Sequence, residues 1–213
     1  MRTLPWPLAR RDWDDALTLV RGGALTVYPT ETVFGIGVAL SAGDDGVERV
    51  RAAKGSPRGR PFLVLAASVE MAFALWNEVP GVARILAASA WPGPLTLVGP
   101  ARDGLPSSIL GSHEGPDGVL PTLSVRVPGD SALRQFIGRL GSPLLSTSAN
   151  PAQTPPPVQV GELRLDLLAP DLFLSAASCP GGEPSTVLTT LSNPPQILRQ
   201  GAWRPTLLGE VTE

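Results

Sequence analysis

The stretch ALTVYPTETVFGIG, residues 24–37, decides how the fold of this chain is interpreted. Its apolar beginning, Ala24 to Val27, is typical of a buried strand. The strand runs directly into two threonines, a glutamate and two glycines. Polar residues at a strand end either stabilise a turn or line a small-molecule site, and these fourteen residues alone leave both interpretations open.

Composition favours a globular protein over a disordered or fibrous one. The chain has 213 residues, of which 43% are hydrophobic and 17% charged, and we expect a single domain over 1–213. One cysteine, Cys179, excludes an internal disulfide framework and a cysteine-cluster metal site. We expect no membrane span and a cytoplasmic location, because no apolar stretch approaches 18 residues and no export signal is visible.

Hydrophobic periodicity predicts helices and strands in mixed order. Helices are expected over 13–21, 44–54, 68–77, 80–90, 131–140 and 162–168, the fifth capped by Asp130. Strands are expected over 24–28, 62–66, 95–98, 123–127, 143–145, 171–174, 185–190 and 196–198. This order predicts an α/β (α+β) fold around a mixed sheet.

Standard catalytic templates are missing from the sequence. It contains no phosphate-binding P-loop, and Gly35-Ile-Gly37 lacks the third glycine of a dinucleotide fingerprint. The single histidine, His113, lies in a glycine-rich segment that we predict to be an exposed loop. Without a histidine to activate it, Cys179 is interpreted as inert. A histidine-based triad and a histidine zinc site are therefore disfavoured.

Polar clusters remain where apolar runs stop. They are Thr30-Glu31-Thr32, the basic loop 54–61, Thr122 with Arg126, Ser146 to Asn150, Ser185-Thr186 and Arg199. Hydroxyls and amides at strand ends suit a small polar ligand, and cations in a glycine-rich loop suit phosphate or carboxylate. Each cluster also has a structural interpretation as a turn, a solvated loop or a cap. The residue types alone predict a polar pocket for an anionic ligand.

Seven segments, in this order, resemble the YrdC (TsaC) family of threonylcarbamoyl-AMP synthases: 29–35, the basic loop from Lys54 to Pro61, 91–96, 124–127, 146–150, 185–187 and 198–201. The resemblance covers about residues 14–202. It implies the YrdC-like fold, a twisted mixed sheet flanked by helices with a concave ligand cavity. It also implies synthesis of threonylcarbamoyl-adenylate and pyrophosphate from L-threonine, bicarbonate or CO2, and ATP, by a nucleotidyltransferase of the minimal bacterial form.

The resemblance implies roles for individual residues. Those matching threonine contacts are Thr32, Arg126, Ser146 and Ser185, with the Arg126 fork pairing with the carboxylate. Those matching ATP contacts are Lys54, Ser56, Arg60, Thr122, Ser148, Asn150 and Arg199. We expect Lys54, Arg58 and Arg60 to be catalytic through positive charge. No metal site of the protein's own is expected, and Mg2+ would accompany ATP as a phosphate complex.

Ser56 departs from the family pattern, which commonly has an arginine two residues after the lysine. We hypothesise that Arg58 supplies the missing charge. The resemblance further implies a downstream tRNA threonylcarbamoyl-transferase complex and a weak tRNA contact. The rival interpretation is a non-catalytic RNA- or nucleotide-binding paralogue. Its RNA-binding form is disfavoured by a net charge of -2 and 5% aromatic residues.

Overall fold

A single mixed sheet runs through the part of the chain that the computed structural model describes, residues 1–57, 59–115 and 118–205. Within those residues its eleven strands are β1 Arg2–Pro5, β2 Thr26–Tyr28, β3 Gly35–Ala39, β4 Leu63–Leu65, β5 Leu95–Pro100, β6 Gly111–Gly115, β7 Gly118–Arg126, β8 Leu144–Ser148, β9 Leu172–Ser175, β10 Thr186–Thr189 and β11 Gln196–Arg199. Their order is β1-β9-β2-β3-β8-β4-β7-β5-β10-β11, with β6 paired to β7. The predicted mixed sheet is confirmed, since β4 pairs in parallel with β7 and antiparallel with β8.

Helices flank both faces of the sheet. They are α1 Trp13–Arg21, α2 Gly43–Lys54, α3 Val69–Phe73, α4 Gly81–Ala90, α5 Ser131–Leu140 and α6 Leu165–Leu168. Strand residues alternate between two apolar clusters, so that Val64 joins α2 and α4 on one face and Leu65 joins α1 and α5 on the other. None of the described helices has the length and apolar character that crossing a membrane requires.

Capping residues fix one end of each of two helices. The Asp130 carboxylate accepts a hydrogen bond from the Leu133 N–H at 3.0 Å and begins α5. Gly55, with φ of 61°, ends α2 in the left-handed conformation and turns the chain into the basic loop. This cap fixes the backbone conformation at the residue where the basic loop leaves the helix.

Several sequence-based boundaries were wrong. Strands β1, β3 and β6 were not predicted, and His113 lies in β6, half-buried, rather than in a loop. The helix expected over 68–77 covers only Val69–Phe73, and the one over 162–168 only Leu165–Leu168 after a 3-10 turn. Strand β3 was missed because its glycines indicate a loop. In fact a Cβ at Gly37 would lie 1.7 Å from the Leu145 carbonyl oxygen, so close pairing with β8 demands glycine.

Candidate functional site

A cavity of about 280 Å3 lies over the middle of the sheet. Its floor consists of alternate residues of three neighbouring strands, which point to the same face because side chains alternate along a strand. These floor residues are Leu63 and Leu65, Ser124 and Arg126, Ser146 and Ser148. The turn after β2 forms one wall with residues 30 and 32–34, and Thr96 of β5 and Ser185 also line the cavity. Residues 24–37 thus contain strand β2 and also form part of the cavity wall.

Thr30 and Thr32 in that wall have different roles. The Thr30 hydroxyl accepts from the N–H groups of Thr32 and Val33 at 3.0 and 3.2 Å, and it donates to the Val33 carbonyl at 2.8 Å. Since its single hydrogen is committed to Val33, the 2.8 Å bond between the two hydroxyls has Thr32 as donor. Thr30 therefore stabilises the turn, as the structural interpretation predicted, and Thr32 Oγ1 keeps its lone pairs for Arg126.

Arg126 is buried, with 3% of its surface exposed, and its guanidinium is almost fully engaged. Nε donates to the Gly93 carbonyl at 3.0 Å, and both terminal nitrogens donate to Thr32 Oγ1 at 3.2 Å. One terminal nitrogen also lies 2.6 Å from Glu31 Oε1. Four of five N–H donors are thus used within the chain. A ligand carboxylate meets one remaining donor, and a bidentate contact requires Thr32 or Glu31 to yield.

Glu31 neutralises this buried charge and was not among the predicted site residues. Its Oε1 also accepts the Gly129 N–H at 2.5 Å, next to the start of α5. Burial by itself would raise the pKa of the Glu31 carboxyl, but Arg126 and the Gly129 N–H outweigh burial and hold the pKa below its usual value. The carboxylate is therefore charged at neutral pH.

A second cavity of about 240 Å3 adjoins the first and contains Lys54. The Lys54 ammonium donates to the carbonyl of Ser148, to the carbonyl of Asn150 at 2.8 Å and to the Asn150 side-chain oxygen at 3.3 Å. Burial, and secondly the charge of Arg60, lower the pKa of Lys54 to about 8. Three acceptors take the three ammonium hydrogens. Lys54 thus holds the end of β8 in place as well as supplying charge to the cavity.

Arg60 and Arg199 stand on the boundary that the two cavities share. Arg199 donates to the Ser185 carbonyl at 2.8 Å. Burial, and then the charges of Arg126 and Arg60, lower its pKa. Arg60 is exposed, and its side chain makes no hydrogen bond or ion pair within the described residues. No carboxylate is among the described residues that line these cavities, so this boundary is a site for an anion.

The structure brings most of the predicted residues together around these two cavities. Thr32, Arg126, Ser146 and Ser185 line the first cavity, Lys54, Ser56 and Asn150 line the second, and Arg60, Ser148 and Arg199 line both. Thr122 lies apart, on a third cavity of about 750 Å3 that shares Pro61, Ser124 and Val187 with the first. Arg58, the proposed substitute for the missing arginine, lies outside the described residues.

Ser124 and Thr96 complete the polar lining and were also absent from the predicted set. Thr96 Oγ1 lies 2.8 Å from Ser185 Oγ and so fixes that hydroxyl at the cavity. Ser124 was identifiable from alternation, because Thr122, Ser124 and Arg126 occupy every second position of one strand. Glu31 gave no such signal, since its partner Arg126 is 95 residues away in the sequence.

Other reactive residue types do not form a competing centre. Cys179 is buried, and burial raises the pKa of its thiol to about 11, which makes it a poor nucleophile. Across the described ranges, no three histidine, cysteine, aspartate or glutamate side chains cluster in a way that could hold a metal ion.

Comparison with known proteins gives a consistent result. Residues 18–201 match the Sua5/YciO/YrdC family, which carries the description telomere recombination. A threonylcarbamoyl-AMP synthase of Pyrococcus abyssi is 33% identical over 187 residues, which is 87% of this chain and 53% of the relative. One of Pseudomonas paraeruginosa is 37% identical over 140 residues, 66% of this chain and 71% of the relative. The chain thus spans about half the length of the archaeal relative.

The fold agrees with these sequence matches. The crystal structure of P. abyssi Sua5 complexed with L-threonine is 30% identical, with a TM-score of 0.80. The match covers 94% of this chain and 57% of that chain. The predicted twisted mixed sheet flanked by helices is confirmed.

Proposed function

Since the chain belongs to the Sua5/YciO/YrdC family, we propose that it is a threonylcarbamoyl-AMP synthase. It would make threonylcarbamoyl-adenylate and pyrophosphate from L-threonine, bicarbonate or CO2, and ATP, which makes it a nucleotidyltransferase. The observation that supports this most is the pair of adjoining cavities that share Arg60 and Arg199. A small amino acid would occupy the first cavity and phosphate groups the second, and the proposed reaction joins those two substrates.

The threonine end is proposed around Arg126, Ser146 and Ser185. The remaining N–H of Arg126 would meet the carboxylate, and the two serine hydroxyls would meet the polar groups of threonine. Thr32 would act on threonine through Arg126, because its hydroxyl is committed to the guanidinium and to Thr30. This arrangement would leave the threonine amine free to react.

The chemistry requires no covalent intermediate with the protein. The neutral amine nitrogen adds to the carbon of CO2 and loses a proton to solvent, and the resulting carbamate oxygen attacks the α-phosphorus of ATP. The bond from that phosphorus to the bridging oxygen breaks, and pyrophosphate leaves with the electron pair. Arg60, Arg199 and Lys54 would neutralise the negative charge that accumulates on the phosphates. Positioning of the two substrates supplies the rest of the catalysis.

ATP and Mg2+ would enter together. The described residues lining the two cavities offer hydroxyls and amides but no carboxylate. The donor set therefore does not fit a cation held by the protein alone, and the ion would be held mainly by phosphate oxygens. Its chemistry would be to offset phosphate charge. Ser148 and Asn150 line the second cavity and would add polar contacts to the phosphates. Thr122 would contact ATP only where ATP extends into the third cavity.

The product would serve tRNA modification in the cytoplasm. Partner proteins of a tRNA threonylcarbamoyl-transferase complex would transfer the threonylcarbamoyl group to the adenosine beside the anticodon. Any direct tRNA contact of this chain would be weak, because its net charge is -2.

The test measures pyrophosphate release and threonylcarbamoyl-adenylate by mass spectrometry, with and without L-threonine and bicarbonate. We expect product that requires all three substrates. Arg60→Gln should lower kcat/KM by about a hundredfold, as loss of one transition-state charge contact does. Arg164→Gln, an exposed arginine paired with Asp166, is the matched control and should leave the rate unchanged. Nucleotide binding without product would instead favour the non-catalytic paralogue.

A further inference from the structure

Arg51 lies beneath the basic loop rather than in either cavity. It belongs to the last turn of α2, and 4% of its surface is exposed. It is absent from the described residues that line the two cavities. A buried arginine is costly unless its charge and hydrogen bonds are satisfied, so its partners indicate what it does.

Its guanidinium is directed at backbone carbonyls of the loop. One terminal nitrogen donates to the Pro57 carbonyl at 2.9 Å, and the other donates to the Arg60 carbonyl at 3.1 Å and to the Ser108 carbonyl. Pro57 and Arg60 are three residues apart in the basic loop, so one rigid fork fixes the backbone at both positions. Ser108 belongs to the 3-10 turn Ser107–Ile109, which is thereby joined to the same anchor.

Two further contacts hold Arg51 in this orientation. The Phe62 ring lies beneath the guanidinium, with its centroid 4.7 Å from the central carbon. Nε lies 3.5 Å from the carboxylate of Glu48, which is half exposed. A lysine could not reproduce this geometry, because an ammonium has no planar fork and does not stack on a ring in the same way.

We propose that Arg51 is a positioning residue for the triphosphate: it holds the basic loop so that Arg60 faces the two cavities. The guanidinium of Arg60 makes no hydrogen bond in the described part of the chain, so the direction of this side chain depends on its backbone. The Arg51 contact to the Arg60 carbonyl fixes that backbone. This inference rests on the proposed function for the identity of the ligand.

The experiment measures binding directly, which separates the inference from the proposed reaction. Dissociation constants for MgATP, for tripolyphosphate and for L-threonine are determined by calorimetry for the wild type and for Arg51→Met, Arg51→Lys and Arg49→Met. Arg49 is the matched control, because it lies on the same helix, is about half exposed, and contacts Gly23 and Asp171 away from the loop. Folding is checked by circular dichroism and thermal melting.

We expect Arg51→Met to raise the dissociation constants for MgATP and tripolyphosphate by about tenfold or more, because a misplaced Arg60 loses its ionic contact with phosphate. The dissociation constant for L-threonine should change by less than about twofold. Arg49→Met should bind all three ligands as tightly as the wild type. Arg51→Lys should lie between the wild type and Arg51→Met. If Arg51→Met fails to fold, the same comparison is made with Arg51→Lys, with a smaller loss expected.

Wild-type affinity for MgATP in a folded Arg51 variant would overturn the inference. Equal losses for MgATP and L-threonine would also overturn it, since they would indicate a general structural role. A wild type that binds MgATP but makes no adenylate would refute the proposed function, while Arg51 would still be judged by the dissociation constants. A wild type that binds neither MgATP nor tripolyphosphate would refute both.

Discussion

Replacing Glu31 by glutamine isolates the charge that neutralises Arg126. The amide oxygen can keep the contacts that Oε1 makes with Arg126 and with the Gly129 N–H, at 2.6 and 2.5 Å. The amide nitrogen takes the place of Oε2, whose contact with the Asp130 N–H is long, at 3.4 Å. Shape and most hydrogen bonds are thus preserved, and the negative charge is removed.

The expected cost follows from how deeply the pair is buried. Removing one partner of a fully buried ion pair costs about 3–5 kcal/mol, because the other charge is left without compensation. The side chain of Arg126 is 4% exposed, but that of Glu31 is 20% exposed, and water reaches part of the pair. Allowing for that exposure and for the retained hydrogen bonds, we expect about 2–3 kcal/mol. For a domain of this size that lowers Tm by about 4–12 °C.

The assay is thermal and chemical unfolding of Glu31→Gln beside Asp15→Asn. Asp15 pairs with Arg2 in an exposed ion pair, so its loss should cost less than about 1 kcal/mol. The pKa of Glu31 is lower in the folded state, so its stabilisation is complete above about pH 4.3 and is lost as pH falls through the folded pKa. The difference between wild type and Glu31→Gln should therefore narrow in acid. A Tm equal to that of Asp15→Asn, or a difference that does not change with pH, would refute the reasoning.

Three further predictions concern the fold and the site. Gly37→Ala should lower the free energy of unfolding by about 3 kcal/mol or more in urea, since its Cβ would overlap the Leu145 carbonyl; Gly138→Ala, whose nearest neighbour is 3.7 Å away, should instead stabilise α5 slightly. Affinity for MgATP should weaken as pH rises through about 8, because Lys54 loses its charge there, and a pH titration of Lys54→Met should lack that inflection. Thr32→Val removes the acceptor of two Arg126 bonds, so KM for threonine should rise about tenfold while KM for ATP stays within about twofold; a uniform rise in both would contradict the assigned role.

Sequence patterns predicted the elements that bury a regular apolar face. Helices α1, α4 and α5 lie within one residue of the predicted bounds, because each carries an apolar stripe and a capping or proline signal. Strands β3 and β6 were missed for the opposite reason. Each contains two glycines, which lower strand propensity, and pairing with neighbouring strands determines their conformation instead.

Most of the residues marked by the family resemblance line the two cavities. Composition alone predicted only a polar pocket, whereas the resemblance named individual residues at the strand ends. What the sequence could not predict was which groups satisfy one another. Lys54 is directed at carbonyls after β8, and Arg126 at Glu31, each across more than ninety residues of sequence. Arg51 was indistinguishable from an exposed helical arginine such as Arg49, since burial depends on the loop and turn packed over it.

The positive charges of the site divide into two kinds, and this division supports the proposed placement of the two substrates. The charge of Arg126 is already neutralised by Glu31, so the carboxylate of a ligand would have to share this cation with Glu31. Arg60 and Arg199 face the cavities with no carboxylate among the described lining residues, and their mutual repulsion is relieved only by an added anion. On the proposed function, the more highly charged substrate would therefore gain most at Arg60 and Arg199, and we propose that the triphosphate binds there. Threonine would gain less from charge and more from the hydroxyls and the shape of a wall that Thr30, Thr32 and Glu31 already hold in place.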